Sequence, residues 1–210
     1  MTWMRMSGQS WLGAAASFVV MWVVMMVAMM LPPLVATLSR YRDALHQSGV
    51  PHVDRLTAIA SAAYFVVWTA IGVAIFPLGV ALAAFEMKEP ALSRLVPAAA
   101  ALIVTLAGLL QFTTWKARRL ACCRAVPRRV LQTNAWRYGI HVAYHCVACC
   151  ANLMTIVLIL GVMDLRAMAA GTPAIAFERL APNGDGAARA IGAVAIGTGL
   201  FLLARATRLV

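Results

Sequence analysis

Charge is scarce in this chain. Only 12% of its 210 residues are Asp, Glu, Lys or Arg, and the acids are scarcest: 7 Asp and Glu stand against 18 Lys and Arg. Soluble domains carry about 25% charged residues. With 63% hydrophobic residues and a mean hydropathy of +0.83, the soluble class is excluded and a polytopic membrane protein remains. A cleavable secretory leader is not expected either. The first apolar segment runs from Trp11 past Leu38, longer than a signal-peptide core of about 7–15 residues, and has no small-residue cleavage site. No internal repeat and no separate soluble domain are evident. There is no phosphate loop and no phosphorylated-Asp signature, so a pump has no motif for energy coupling. Covalent haem attachment fails because Cys146-Val-Ala-Cys149 is followed by Cys150 where His is required.

What is present is a series of apolar segments. A hydrocarbon core of about 30 Å takes roughly 20 apolar helical residues. Spans are expected near Trp11–Leu38, Thr57–Phe85, Leu92–Phe112, Ile140–Met163 and Ala188–Ala206, with a short fifth in chain order at Leu165–Phe177, which contains Thr172-Pro173. The expected fold is all-α: one polytopic transmembrane helical bundle over residues 1–210, with about six spans. Pro32-Pro33 is expected to kink or end the first helix. The net charge of +11 does not indicate nucleic acid, because the basic residues sit between apolar spans. The segment from Thr113 to Gly139, read as a loop, holds Lys116, Arg118, Arg119, Arg124, Arg128, Arg129 and Arg137 and no acid. The positive-inside rule places it in the cytoplasm, together with Arg40, Arg42 and Arg55 and the turn around Arg179 and Arg189. The partner of such a chain is a lipid bilayer, of the bacterial inner-membrane type. Trp3, Trp11, Trp115 and Trp136 fall near span boundaries, as membrane-interface aromatics do.

The densest chemistry lies in Tyr138–Met154, which opens the fourth span. It holds three of the five cysteines and two of the four histidines. At about 100° per residue, His141, His145 and Cys149 share a face with Asn152, and Cys146 and Cys150 form a neighbouring stripe. Imidazole and thiolate on adjoining faces suit copper or zinc. Polar groups at membrane depth are costly unless paired, so the cluster demands a reason. Five cysteines cannot all pair within one chain, and the neighbours Cys122-Cys123 and Cys149-Cys150 suit metal or exchange chemistry better than a disulfide framework. The first span adds Met21, Met25 and Met29 on one stripe and Met26 and Met30 on a second. Thioethers bind Cu(I); they also pack well as plain hydrophobes.

These blocks resemble a known family. Trp22 through Met29-Met30-Leu-Pro32 is similar to the first-helix signature of the predicted metal-binding integral membrane proteins, DUF2182. Lys116 through Cys123-Arg124 resembles its basic, cysteine-bearing centre, with Arg119 where a cysteine is usual. Gly139 through Cys146-Val-Ala-Cys149-Cys150 resembles its most distinctive motif, with Ala151 where a Trp is common. Gly161–Met168 and Phe177–Pro182 resemble its C-terminal blocks. The resemblance implies a metal role, with copper handling the usual suggestion.

The expected metal ligands are therefore Cys146, Cys149, Cys150, His145 and His141, with Cys122 and Cys123 beside them and Met21, Met25 and Met29 on the first span. The expected cargo is Cu(I), with zinc the alternative. A chaperone, an assembly factor or an accessory subunit serving a copper enzyme fits better than an enzyme, and no catalytic residue is assigned. Two other readings stand beside it: a membrane thiol oxidoreductase, and a structural subunit of a larger membrane complex.

Overall fold

The protein was analysed as a computed structural model, which describes residues 8–88, 90–124, 134–161, 164–181 and 183–208. Among them the chain is all-α: α1 (Trp11–Gln47), α2 (Val53–Lys88), α3 (Pro90–Leu110), α4 (Thr114–Arg124), α5 (Ala135–Gly161), α6 (Leu165–Leu180) and α7 (Gly184–Arg208). Short polar side chains start several of them by accepting otherwise unpaired first-turn N–H groups. Ser10 accepts from Gly13, Asp164 from Arg166 and Asn183 from Gly186.

Four helices are long and apolar enough to cross a membrane: Trp11–Gln47, Val53–Phe85, Ala135–Gly161 and Gly184–Thr207. A fifth candidate is a bent pair, Leu95–Leu110 with Thr114–Cys123, meeting at 68°. The expectation of about six spans is thus reduced to four or five by length and composition. The shortfall is α6, whose 16 residues rise only about 24 Å. Of the kink or end expected at Pro32-Pro33, the end does not occur. Each proline removes an N–H donor, yet α1 does not end there and continues to Gln47. Pro33 is buried, and its carbonyl accepts the Thr37 hydroxyl at 3.0 Å. Neighbouring helices shield this stretch, which is how membrane helices tolerate proline.

The segment from Thr113 to Gly139 is not simply a loop, because α4 occupies much of it; residues 125–133, with Arg128 and Arg129, lie outside the described residues. The break before α4 has a local cause. The N–H groups of Gln111, Phe112 and Thr113 turn back to the carbonyls three residues earlier, tightening the last turn of α3. Thr113 Oγ1 then accepts the Lys116 N–H at 3.3 Å and starts a new helix. The bend directs Lys116 inward, against α5.

Two close approaches hold the bundle. At Gly139 a Cβ would stand 2.2 Å from the Ala60 carbonyl oxygen, so only glycine lets α5 lie this near α2. At Gly199 a Cβ would stand 2.2 Å from Thr105 Oγ1, which sets the α3–α7 crossing. Tyr41 of α1 stacks on Tyr138 of α5, ring centroids 4.0 Å apart. The C-terminal end of α1 and the N-terminal ends of α2 and α5 therefore gather at one end of the bundle. The main core is aromatic and sulfur-rich, built from Phe18, Trp22, Tyr64, Trp68, four methionines of α1 and three cysteines of α5.

Candidate metal centre

α5 carries the cysteine motif with one face turned inward. Cys146, Cys149 and Cys150 are fully buried. Their spacing of three and four residues places them on one helical face, and that face meets α1, α2, α4 and α6. The Cys146 thiol is the focus. Cys150 Sγ lies 4.0 Å from it, one helical turn away. Met30 Sδ of α1 lies at 3.9 Å. Tyr64 Oη of α2 is at 3.0 Å. Arg179 of α6 donates from Nη1 at 3.0 Å. Cys149 neighbours both Cys150 and Cys123, and the Cys123 thiol donates to the His145 carbonyl at 3.1 Å. The sulfurs thus follow one another from Cys123 through Cys149, Cys150 and Cys146 to Met30.

Beside this sulfur line runs a buried charge pair. Lys116 and Glu178 are each 1% exposed and meet at 2.8 Å, Nζ to Oε2. The ammonium has three donors and three acceptors: Glu178, the Cys149 carbonyl at 2.7 Å and Asn152 Oδ1 at 3.3 Å. Gln111 donates to the other Glu178 oxygen. Two charges in a low-dielectric core are tolerable only when paired and hydrogen-bonded in this way. The pair ties α4 to α6 across the backbone of α5.

At the surface, the same helix presents a different chemistry. His141 is exposed and His145 half-buried, with their Nε2 atoms 3.1 Å apart. The Nδ1 of His145 is buried without a hydrogen-bond partner among the described residues. A small cleft is lined by His141, His145, Cys122, Cys123, Thr37 and Arg179. Arg179 therefore borders both the cleft and the Cys146 thiol.

The structure brings most of the expected residues to one end, but in two groups. Cys146, Cys149 and Cys150 are in the core; His141, His145, Cys122 and Cys123 line the cleft. Of the first methionine stripe, Met25 and Met29 are buried in the core, whereas Met21 is 46% exposed on the outside of the bundle. The methionine beside Cys146 is Met30, from the second stripe. Arg179, expected in a cytoplasmic turn, is instead 6% exposed inside the bundle. Lys116, expected among loop charges flanking the thiols, is bound by Glu178. Asn152 does lie inward, as the helical spacing predicts, but as an acceptor for Lys116. The missed signal was Glu178-Arg179 itself: two adjacent ionisable residues at the end of an apolar segment, which in a membrane chain point to function. Adjacent residues diverge by about 100°, so one faces Lys116 and the other Cys146.

The donor set suits a soft monovalent ion. Among the described residues no three His, Cys, Asp or Glu side chains are grouped to hold an ion by themselves. The third donor near Cys146 and Cys150 is a thioether, and thiolate with thioether suits soft ions such as Cu(I). With metal–sulfur bonds of about 2.3 Å, a flat three-sulfur site has edges of roughly 4.0 Å. The Cys146–Cys150 and Cys146–Met30 separations of 4.0 and 3.9 Å have that length before any rearrangement. No curated protein and no solved structure matches the chain. A family model does, over residues 19–202, and its description is a copper chaperone. That span takes in the methionine helix, the basic α4, the cysteine helix and the Glu178-Arg179 pair, and the chain belongs to the PpoB2 copper chaperone family.

Proposed function

We propose that this membrane copper chaperone holds one Cu(I) between Cys146, Cys150 and Met30, takes it up through the cleft of His141, His145, Cys122 and Cys123, and releases it to a copper enzyme or its assembly machinery. The carrying observation is the pair of sulfur separations around Cys146, 4.0 and 3.9 Å, in a water-poor core of soft donors. Cys149, between Cys123 and Cys150, serves as the transfer thiol: each step passes the ion to an adjacent sulfur without exposing it to solvent. Met25 and Met29 continue the soft surface along α1, while Met21 faces the lipid. The copper-chaperone family match supports this metal-handling reading, and the resemblance to DUF2182 points the same way.

The proposed topology is six crossings, with α6 the short one. Gly171 lies against Val157 and Arg179 against Cys146, so α6 runs antiparallel to α5 through much of its depth. The cleft end carries Arg118 and Arg119 on α4, Arg137 on α5 and Arg40 and Arg42 on α1. The positive-inside rule puts that end in the cytoplasm of a bacterial-type inner membrane.

The test is Cu(I) binding by the purified full chain in detergent, under reducing conditions, by competition with a chromogenic Cu(I) chelator. The expected result is one tightly bound copper per chain, abolished by Cys146→Ser and weakened by Met30→Leu, with helix content unchanged. Tight binding that survives Cys146→Ser and Cys150→Ser together overturns the site.

A further inference from the structure

Arg179 is the basic group that touches the Cys146 thiol, and among the described residues no carboxylate is paired with it. Ion pairs among the described residues include Arg42–Asp54, at the surface, and Lys116–Glu178. The latter is self-neutralising, and the Arg179 guanidinium donates a hydrogen bond to Cys146 Sγ. Both Cys146 and Cys150 bind metal as thiolates, and Met30 is neutral. With Cu(I) the site carries −2 from the thiolates, +1 from the metal and +1 from Arg179, which sums to zero. With a divalent ion such as Zn(II) the same sum is +1, left uncompensated in a low-dielectric core. We infer that Arg179 is a specificity-determining residue. Its fixed charge makes the buried sulfur site neutral only with a monovalent ion, and so discriminates Cu(I) from Zn(II) and other divalent thiophiles. This rests on the Cys146/Cys150/Met30 reading above and adds to it the source of selectivity. Soft donors alone do not supply that selectivity, since thiolates bind zinc well.

The experiment compares Cu(I) and Zn(II) affinities of the full chain in detergent, each by chelator competition, for wild type, Arg179→Gln and Arg179→Lys. One unit charge within about 4 Å, at an effective dielectric near 20, is worth several powers of ten in binding. Arg179→Gln is therefore expected to lower the Cu(I)-to-Zn(II) affinity ratio at least about a hundred-fold, while Arg179→Lys keeps the ratio near that of wild type. A structural role is separated by sign. In a Cys150→Ser background one thiolate balances Cu(I) unaided, so adding Arg179→Gln should there raise Cu(I) affinity, the reverse of its effect in wild type. Arg179→Met replaces the glutamine variant if circular dichroism shows that the latter is unfolded. A wild-type chain that binds Cu(I), with a ratio unmoved by either neutral substitution, overturns the charge-selection proposal and leaves the site standing. A wild-type chain without tight Cu(I) binding overturns the site itself, and the proposal with it.

Discussion

The two groups of metal-seeking side chains gathered around α5, one joined by α4 and the other by α1, differ in nearly every physical respect. The cleft group, His141, His145, Cys122 and Cys123, mixes imidazole with thiol and includes the exposed His141 and Cys122. The core group, Cys146, Cys150 and Met30, is all sulfur, fully buried and held by neighbours from three other helices. An exposed site exchanges ions readily but holds them against water and competing ligands poorly. A buried site with fixed partners gives up exchange rate and gains selectivity. A chaperone needs both properties, and here they are divided along one helix, with Arg179 at the boundary.

The sharpest way to break this division is to disturb the charge pair behind it. Lys116→Met takes the ammonium away from the buried Glu178 carboxylate, which is expected to cost about 3–5 kcal/mol of stability, read as lost thermal unfolding temperature in detergent. The double change Lys116→Met with Glu178→Met removes both charges and should regain most of that loss. Equal losses for the single and double variants would mean the pair does not organise α4 and α6. A smaller effect is expected from Tyr64→Phe, which deletes the hydroxyl 3.0 Å from Cys146 Sγ and keeps the ring. Outer groups that orient a ligand are worth about 10–100-fold in metal affinity, and the lower end is expected here, by chelator competition. Smallest at equilibrium is the change from His141→Ala with His145→Ala. It should leave Cu(I) affinity unaltered and slow its uptake in stopped-flow loading. Lost affinity with unchanged uptake would invert the assignment of cleft and core.

How much of this was legible in the sequence follows from which interactions are local. The helical spacing of Cys146 and Cys150 fixed their shared face, and the apolar runs fixed the helices of the bundle. The same spacing put Asn152 on a face with His141, His145 and Cys149, which the structure splits: Asn152 and Cys149 are buried and His141 is exposed. The two methionine stripes were also visible, but which one meets Cys146 depends on how α1 is rotated. That rotation involves contacts distant in sequence, such as Trp22 Nε1 donating to the Trp68 carbonyl at 2.9 Å. Lys116 reads as one of the cytoplasmic loop charges because nothing in a linear reading announces a bend of 68° just before it. In hindsight the Gln-Phe-Thr-Thr stretch, with Thr113 as cap, carries that information. Arg179 was assigned to a turn because the apolar run stops at Phe177, whereas α6 continues to Leu180 and packs its last turn against α5. Pro32-Pro33 misled in the opposite direction, since α1 runs through the pair, with Pro33 buried against the bundle and Pro32 on its outside.

The measurement that bears most directly on the account is X-ray absorption at the copper edge, on the full chain loaded with one equivalent of Cu(I) in detergent. The division of labour predicts a first shell of about three sulfurs near 2.3 Å, without the outer-shell scattering of imidazole, and one fewer sulfur in the Met30→Leu variant. A shell containing histidine nitrogen in the wild type, unchanged by Met30→Leu, would contradict it and place the resting ion in the cleft.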